Sequence, residues 1–290
     1  MAVVTTLVHE GKPAKLFRAI VMQKPEFSFA VFQRLLRKKD IKVNGKRVSE
    51  NVDVEAGDEI AFYLSEQKQE KSAEIVFEDD NILIANKPDG IEVESETDEN
   101  DFLHLVAGEG KLFAVHRLDR NTTGLVVFAK NLKAKKELDE AFKNRTVHKY
   151  YLARVFGYME KKSADLVAFL KKDERAKRAV VRAVPAPGFL KIETKYKVLS
   201  QRAESKEFPI RTSLLEVELV TGKMHQIRAH LAFLGHAIVG DGKYADNAAN
   251  KAMKQKKQLL CAYKIVFSFE KGQLLSYLNG RQFELLNLNI

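Results

Sequence analysis

Between two stretches dense in apolar residues, the run SEQKQEKSA at 65–73 has the composition of a linker. It offers almost nothing a core could bury, so the residues on either side must find separate interiors. That predicts a small unit over 1–64 and a larger one over 74–290. A chain of 290 residues has the length for this division, and 45% hydrophobic residues fill both cores.

In the first unit, LFRAIVMQ and FAVFQRLLRKK carry apolar residues at helical spacing, the second with Phe29, Phe32, Leu35 and Leu36 turned inward. IKVNGKRVSENVDVEAGDEIAFYL follows as short strands, with Asn44-Gly45 as a tight hairpin turn. From Glu74 onward strand-like runs dominate, broken by turns and a few helices. AKKELDEAFKNR is the clearest helix, with Leu138, Ala141 and Phe142 on one stripe. Strands interspersed irregularly with helices predict an α+β fold, not a regular βαβ series.

The chain is basic, with a net charge of +10. This favours a polyanionic partner, and the distribution says more than the total. From Arg34 to Arg47 seven basic residues (Arg34, Arg37, Lys38, Lys39, Lys42, Lys46 and Arg47) face one acid, Asp40. From Glu92 to Asp101 there are six acids and no base. No stretch is apolar enough to span a membrane, and the N-terminus lacks the pattern of a secretory signal. The one cysteine, Cys261, sits in apolar LLCAYKIVF and reads as a packed core thiol. A reducing, cytoplasmic setting fits that usage.

HRLDRNTTGLVVFAK, at 116–130, poses the chemical question. It sets a single carboxylate, Asp119, between Arg117 and Arg120, ahead of a turn and a buried-strand run at 125–129. A surface that meets RNA repels carboxylates, because each nearby phosphate raises the cost of holding one ionised. A loop-fixing ion pair is one explanation for Asp119, and a chemical role is another. LVTGKMHQIRAHLAFLGHAIVGDGKY, at 219–244, supplies candidate partners in Lys223, His225, Arg228 and His230. His225, His230 and His236 do not follow the spacing of a helical ligand pair, so no metal is expected.

These segments carry a family resemblance. HRLDRNTTGLVVFAK resembles the catalytic motif of the RluA-type pseudouridine synthases, in which the Asp of H-R-L-D is the nucleophile. TGKMHQIRAHL is similar to that family's later T-G-R-x-H-Q-I-R-x-H segment, VFEDDNILIANKPDGIEV to its opening strand and turn, and KYYLARVFG to its tyrosine motif. The four occur in the family's order. The basic helix and I-x-V-N-G turn of the first unit resemble the αL-type RNA-binding domain of a small-subunit ribosomal protein. The resemblance implies a pseudouridine synthase fold, its central sheet mixed but mainly antiparallel, preceded by that RNA-binding domain. It implies Asp119 as nucleophile, Tyr151 stacking on or deprotonating the target base, and Arg228 pairing with Asp119. Arg117 would enter the RNA stack in place of the extruded uridine, and Arg120, Lys223 and His225 would contact RNA.

Chemistry agrees with that assignment. Uridine isomerisation breaks a bond hidden in stacked RNA, so the nucleotide must be flipped into a pocket. A carboxylate nucleophile splits one hard step into easier ones. No redox change or group transfer occurs, so no cofactor is expected. Thr123 stands where the family often has Ser, and Lys223 where it usually has Arg. Both departures are expected to act on RNA affinity, since Lys gives up bidentate phosphate recognition. The acidic segment at 92–101 is a further departure, either a solvated loop facing away from RNA or a discriminator against wrong RNAs.

Two competing readings remain at this level: a non-catalytic RNA-binding protein, and a nucleoside or glycan hydrolase. Hydrolases of that kind use paired carboxylates, whereas the only other candidate here, Asp241 in GDGKY, reads as a turn residue. Ribosomal RNA is favoured over transfer RNA as substrate, and a monomer is expected.

Overall fold

The computed structural model describes residues 2–25, 27, 29–65, 73–95, 101–107, 110–206, 208–286, 288 and 290. The chain divides into two compact units, Met1–Lys71 and Ser72–Ile290. The linker-like run lies, from 66 to 72, outside the described residues, as does the side chain of Arg34.

The first unit contains β1 (Ala2–Val8), β2 (Ala14–Lys15), α1 (Leu16–Gln23), α2 (Phe29–Lys38), β3 (Ile41–Val43), β4 (Lys46–Val48), β5 (Asp53–Val54) and β6 (Glu59–Ser65). An antiparallel sheet in the order β1-β6-β3-β4 packs with both helices around Leu16, Ile20, Phe32, Leu35, Ile41 and Ile60. Asn44 and Gly45 both have positive φ, 49° and 77°, giving the turn whose twist suits a two-residue hairpin. Phe29 departs from expectation. As the first residue of α2 it is 54% exposed, and it meets Phe17 edge-on at a centroid distance of 5.0 Å instead of entering the core. Strand β1, formed by the Val- and Thr-rich run AVVTTLV, pairs along its whole length with β6 at the far end of the unit.

The second unit runs β7 (Glu74–Glu78), β8 (Ile82–Lys87), α3 (Phe102–Ala107), β9 (Phe113–Ala114), β10 (Thr123–Ala129), α4 (Leu132–Asn144) and β11 (Val147–Phe156). It continues through β12 (Ser163–Asp173), β13 (Arg178–Arg182), β14 (Leu190–Arg202), β15 (Thr212–Leu219), α5 (Gln226–Phe233), α6 (Asn247–Ala252), β16 (Leu260–Phe267) and β17 (Gln282–Glu284). The main sheet has the order β13-β12-β14-β15-β11-β16-β10-β8-β7. Its pairings are antiparallel except between β10 and β16, so it is the mixed, mainly antiparallel sheet that the family resemblance implied. One face is covered by the apolar stripe of α4, where Ala134, Leu138 and Ala141 meet Ile84, Val127 and Cys261. The other face gathers Leu118, Phe128, Tyr151, Val217, Ile227 and Leu231. Cys261 is the core thiol expected, 1% exposed, with burial pushing its pKa up to about 11.

One register detail brings distant motifs together. Gly124 on β10 pairs with Ala262 on β16, and Ala262 pairs in turn with Tyr151 on β11. The strands approach so closely that a Cβ on Gly124 would lie 2.2 Å from the Ala262 carbonyl oxygen, and its φ of 114° also suits only glycine. The loop carrying Asp119 therefore enters the sheet two strands from Tyr151.

Candidate active site

The Asp119 loop is held from beneath by a buried lysine. Lys87, at 0% exposure, donates to the carbonyls of Pro88 (2.9 Å), Ile91 (2.8 Å) and Arg120 (3.1 Å). The Gly90 N–H donates to the Arg120 carbonyl at 2.9 Å, and Arg120 Nε returns a bond to the Gly90 carbonyl at 3.2 Å. The turn at 88–91 and the loop at 116–122 are thus one hydrogen-bonded body. Within it the Thr122 N–H donates to the Asp119 carbonyl, and Gln258 Nε2 to Thr122 Oγ1. His116 stacks on Phe142 at 4.6 Å, and its Nε2 accepts the Val127 N–H at 2.9 Å. That acceptor role requires a neutral ring, and burial pushes the His116 pKa down to about 3.

The second motif docks as a helix. Gln226 opens α5 and accepts from Thr221 Oγ1 and the Lys223 N–H through its amide oxygen, while its amide nitrogen donates to the Glu193 carbonyl and Thr194 Oγ1. His230, one turn on, shares Thr194 Oγ1 at 3.1 Å. These bonds fix α5 against β14, and they make His230 a positioning residue and not a partner of Asp119.

Arg228 is aimed by that docking. Its Nε and Nη2 donate to the two oxygens of Asp241 at 2.7 and 2.9 Å, and its Nη1 donates to Asp119 Oδ2 at 2.8 Å. Burial disfavours the guanidinium, but the bonds to Asp241 and then Asp119 outweigh it and raise its pKa. Asp241 is fully buried and also accepts the N–H groups of Lys243 and Tyr244. It is therefore the turn residue that the sequence suggested and, in addition, an anchor for Arg228. His225 heads α5 in the left-handed conformation, φ 54°, and brings Nε2 to 3.9 Å from Asp119 Oδ2. The Tyr244 oxygen accepts the Ala179 N–H at 2.6 Å and lies 3.0 Å from His225 Nδ1. With the phenol as donor in that contact, neutral His225 carries its proton on Nε2, the side 3.9 Å from Asp119.

Tyr151 completes the recess. It is 4% exposed, and burial, followed by the Asp119 charge, pushes its phenol well above the usual tyrosine range. Asp119, Tyr151, Leu219, Ile227 and Arg228 line a small recess of about 60 Å³. A larger cleft of about 930 Å³ shares Arg117, Asp119, Tyr151 and Lys223 with it.

The comparisons with known proteins address the same segments. The family model described as RNA pseudouridylate synthase matches residues 81–233. The chain is 34% identical over 242 residues to a Vibrio cholerae protein named ribosomal large subunit pseudouridine synthase C, covering 75% of this chain and 72% of that one. The chain belongs to the RNA pseudouridylate synthase family. An uncharacterized RNA pseudouridine synthase of Bacillus subtilis is 32% identical over 82% of this chain and 81% of its own. Human RNA pseudouridylate synthase domain containing 1 shares the fold, with a TM-score of 0.62 at 20% identity over 72% of this chain and 84% of that one.

In this synthase the sequence-derived candidates of the second unit divide three ways. Asp119, Tyr151 and Arg228 meet at one recess, with His225 and Lys223 at its edge and Arg117 in the wider cleft. Arg120 donates to the Gly90 carbonyl through Nε and is exposed. Thr123, expected to tune RNA affinity, sends its hydroxyl to the Leu260 carbonyl at 3.4 Å and fastens β10 to β16. The acidic segment is described at 92–95 and at Asp101 only. There Glu92 and Glu94 are exposed, whereas Asp101 is buried. Its buried carboxylate accepts the N–H groups of Ser95 and His104 and contacts the His104 ring.

The synthase also holds residues whose supporting contacts the motifs did not announce. Lys87, within the quoted opening strand and turn, and Asp241 and Tyr244, within GDGKY, are fixed by tertiary contacts that no local pattern encodes. Lys143, Arg145, Lys149, Lys172 and Lys191 add five cations to the cleft. A density of charge around KNRTVHKYY, just before the tyrosine motif, was the available signal for three of them.

Proposed function

We propose that this RNA pseudouridine synthase isomerises uridine in large-subunit ribosomal RNA, with Asp119 as nucleophile. The observation that carries the catalytic assignment is the placement of Asp119 on Arg228 Nη1, inside a recess walled by Tyr151 and open to a cationic cleft. A carboxylate held on a fixed guanidinium meets a flipped nucleotide without reorganising first. Arg228 positions it, and Arg117 at the mouth of the cleft is suited to fill the gap left in the RNA stack. The Tyr151 phenol stays protonated near neutral pH, because burial disfavours the phenolate. Stacking on the base suits such a group better than removing the proton from carbon 5. His225 Nε2–H is a neutral donor for a substrate oxygen.

The ribosomal assignment draws on the names of relatives, several of which are called ribosomal large subunit pseudouridine synthase C. The first unit supports it as an αL-type RNA-binding domain. Its helix α2 ends in Arg37 and Lys38, Lys39 follows, and the β3–β4 hairpin presents Lys46 and exposed Arg47. Lys42 is half-buried on β3 in the same unit. Arg47 also donates to the Lys39 carbonyl at 3.1 Å, tying hairpin to helix end.

The test is tritium release from RNA labelled at carbon 5 of uridine, comparing unmodified ribosomal and transfer RNA, with wild type and Asp119→Asn. Release from ribosomal RNA that vanishes with Asp119→Asn is the expected result. Release from transfer RNA alone overturns the substrate, and full release by Asp119→Asn overturns the nucleophile.

A further inference from the structure

The large cleft has two unlike walls. On one side Lys172 (β12) and Lys191 (β14) are each neutralised, by Glu174 at 2.8 Å and Glu193 at 2.9 Å. On the other, Lys143 near the end of α4, Arg145 just beyond it and Lys149 on β11 form no ion pair within 4 Å among the described residues, and Arg145 feels Glu193 only at longer range. Unpaired cations are the ones free to take up phosphates, because a lysine already holding a carboxylate must give it up first.

Lys149 is the most telling of the three. Its ammonium lies 5.4 Å from the centre of the Phe142 ring, and a side chain on Gly222 would touch it at 3.7 Å. Burial pulls its pKa down, so the folded protein holds this charge at a cost while the cleft is empty. It stands two residues before Tyr151 and lines the same cleft as Asp119. Arg145 adds a second oddity. It occupies the left-handed position that ends α4, φ 62°, where glycine is the unstrained choice. From that position the side chain lines the cleft.

We propose that the RNA backbone runs along the wall of Lys143, Arg145 and Lys149, with Lys149 as the innermost phosphate contact, beside the flipped uridine. The assignment of the innermost position rests on Asp119 marking the reacting centre.

Binding is measured with an unmodified large-subunit ribosomal RNA transcript in the Asp119→Asn background, where turnover does not interfere. Lys149→Met and Arg145→Gly are each expected to weaken binding about tenfold and to lower the slope of log affinity against log salt by about one. Lys149→Arg restores the slope, and the paired change Lys172→Met with Lys191→Met leaves it within error. Arg145→Gly should bind more weakly while melting higher, a combination that misfolding cannot produce. In the otherwise wild-type enzyme, the loss in Lys149→Met falls on KM more than on kcat. An unchanged slope in Lys149→Met, or a larger loss in the Lys172/Lys191 pair, overturns the track. Tritium release by Asp119→Asn would overturn the nucleophile and leave the slopes to be judged on their own.

Discussion

Arg228 spends two of its donors on Asp241 and one on Asp119. The bidentate pair with Asp241 fixes the plane of the guanidinium, and that plane decides where Nη1, and with it Asp119 Oδ2, comes to rest. Asp241 thus acts on the reaction through Arg228 and touches no substrate. Asp241→Asn should lower kcat about 10²-fold, since misplacing a reacting group by an ångström costs on that order. Breaking a buried pair should also cost about 3 kcal/mol of stability. Single-turnover rates and urea unfolding check both, and a kcat within threefold of wild type would remove Asp241 from the catalytic apparatus. Arg228→Lys, which keeps the charge and loses the fork, should fail comparably.

The Tyr244 hydroxyl joins two elements that the reaction needs in fixed register. Tyr244→Phe leaves the Ala179 N–H without its acceptor and frees the tautomer of His225. An unsatisfied buried donor costs about 1–3 kcal/mol, so the melting point should fall. Because His225 Nε2–H is then no longer enforced, kcat/KM should fall by about tenfold, within the range of one charge-neutral hydrogen bond. NMR of the imidazole nitrogens distinguishes the cause: wild type shows the Nε2–H form alone, the variant a mixture.

The motifs made Asp119, Tyr151 and Arg228 legible because each sits in a short stretch of unusual residue order. Their supports were not legible, for physical reasons that differ. GDGKY is a turn sequence, and Asp241 does make that turn; its bond to Arg228 depends on how α5 docks, which the turn does not encode. Lys149 resembles any solvated cation on a strand until Phe142 and Gly222 are folded around it. Phe29 has the helical spacing of a core residue but stands at the open end of α2, where spacing alone cannot tell the last core layer from the first exposed one. The α+β pattern and the α4 stripe were legible because periodicity records local structure directly.

Gly124 should tolerate no side chain. In Gly124→Ala the new methyl would meet the Ala262 backbone at 2.2 Å, on strands that cannot separate without moving Tyr151. Overpacking and the left-handed φ together should cost about 3 kcal/mol or more. Differential scanning calorimetry should show a fall in melting point of roughly 10 °C. An unchanged melting point would mean that β10 and β16 lie farther apart than described.

Stability should also depend on acid through a histidine that never touches substrate. His230 is 1% exposed, bonded to Thr194, and burial pushes its pKa down to about 4. In the unfolded chain an ordinary histidine takes up a proton at a pH of about 6.5. The unfolded state therefore binds the proton first, and stability is fully present above about 6.5 and is lost as pH falls toward 4. Between pH 7 and pH 5 this amounts to about 2 kcal/mol. His116, pushed down to about 3, adds a loss of the same sign. Urea unfolding of wild type and His230→Gln at the two pH values isolates the term. The glutamine variant keeps a bond to Thr194 but has no proton to gain, so its loss over that interval should be smaller by about the same 2 kcal/mol. Equal losses in the two proteins would mean that folded His230 takes up its proton as readily as an unfolded histidine does.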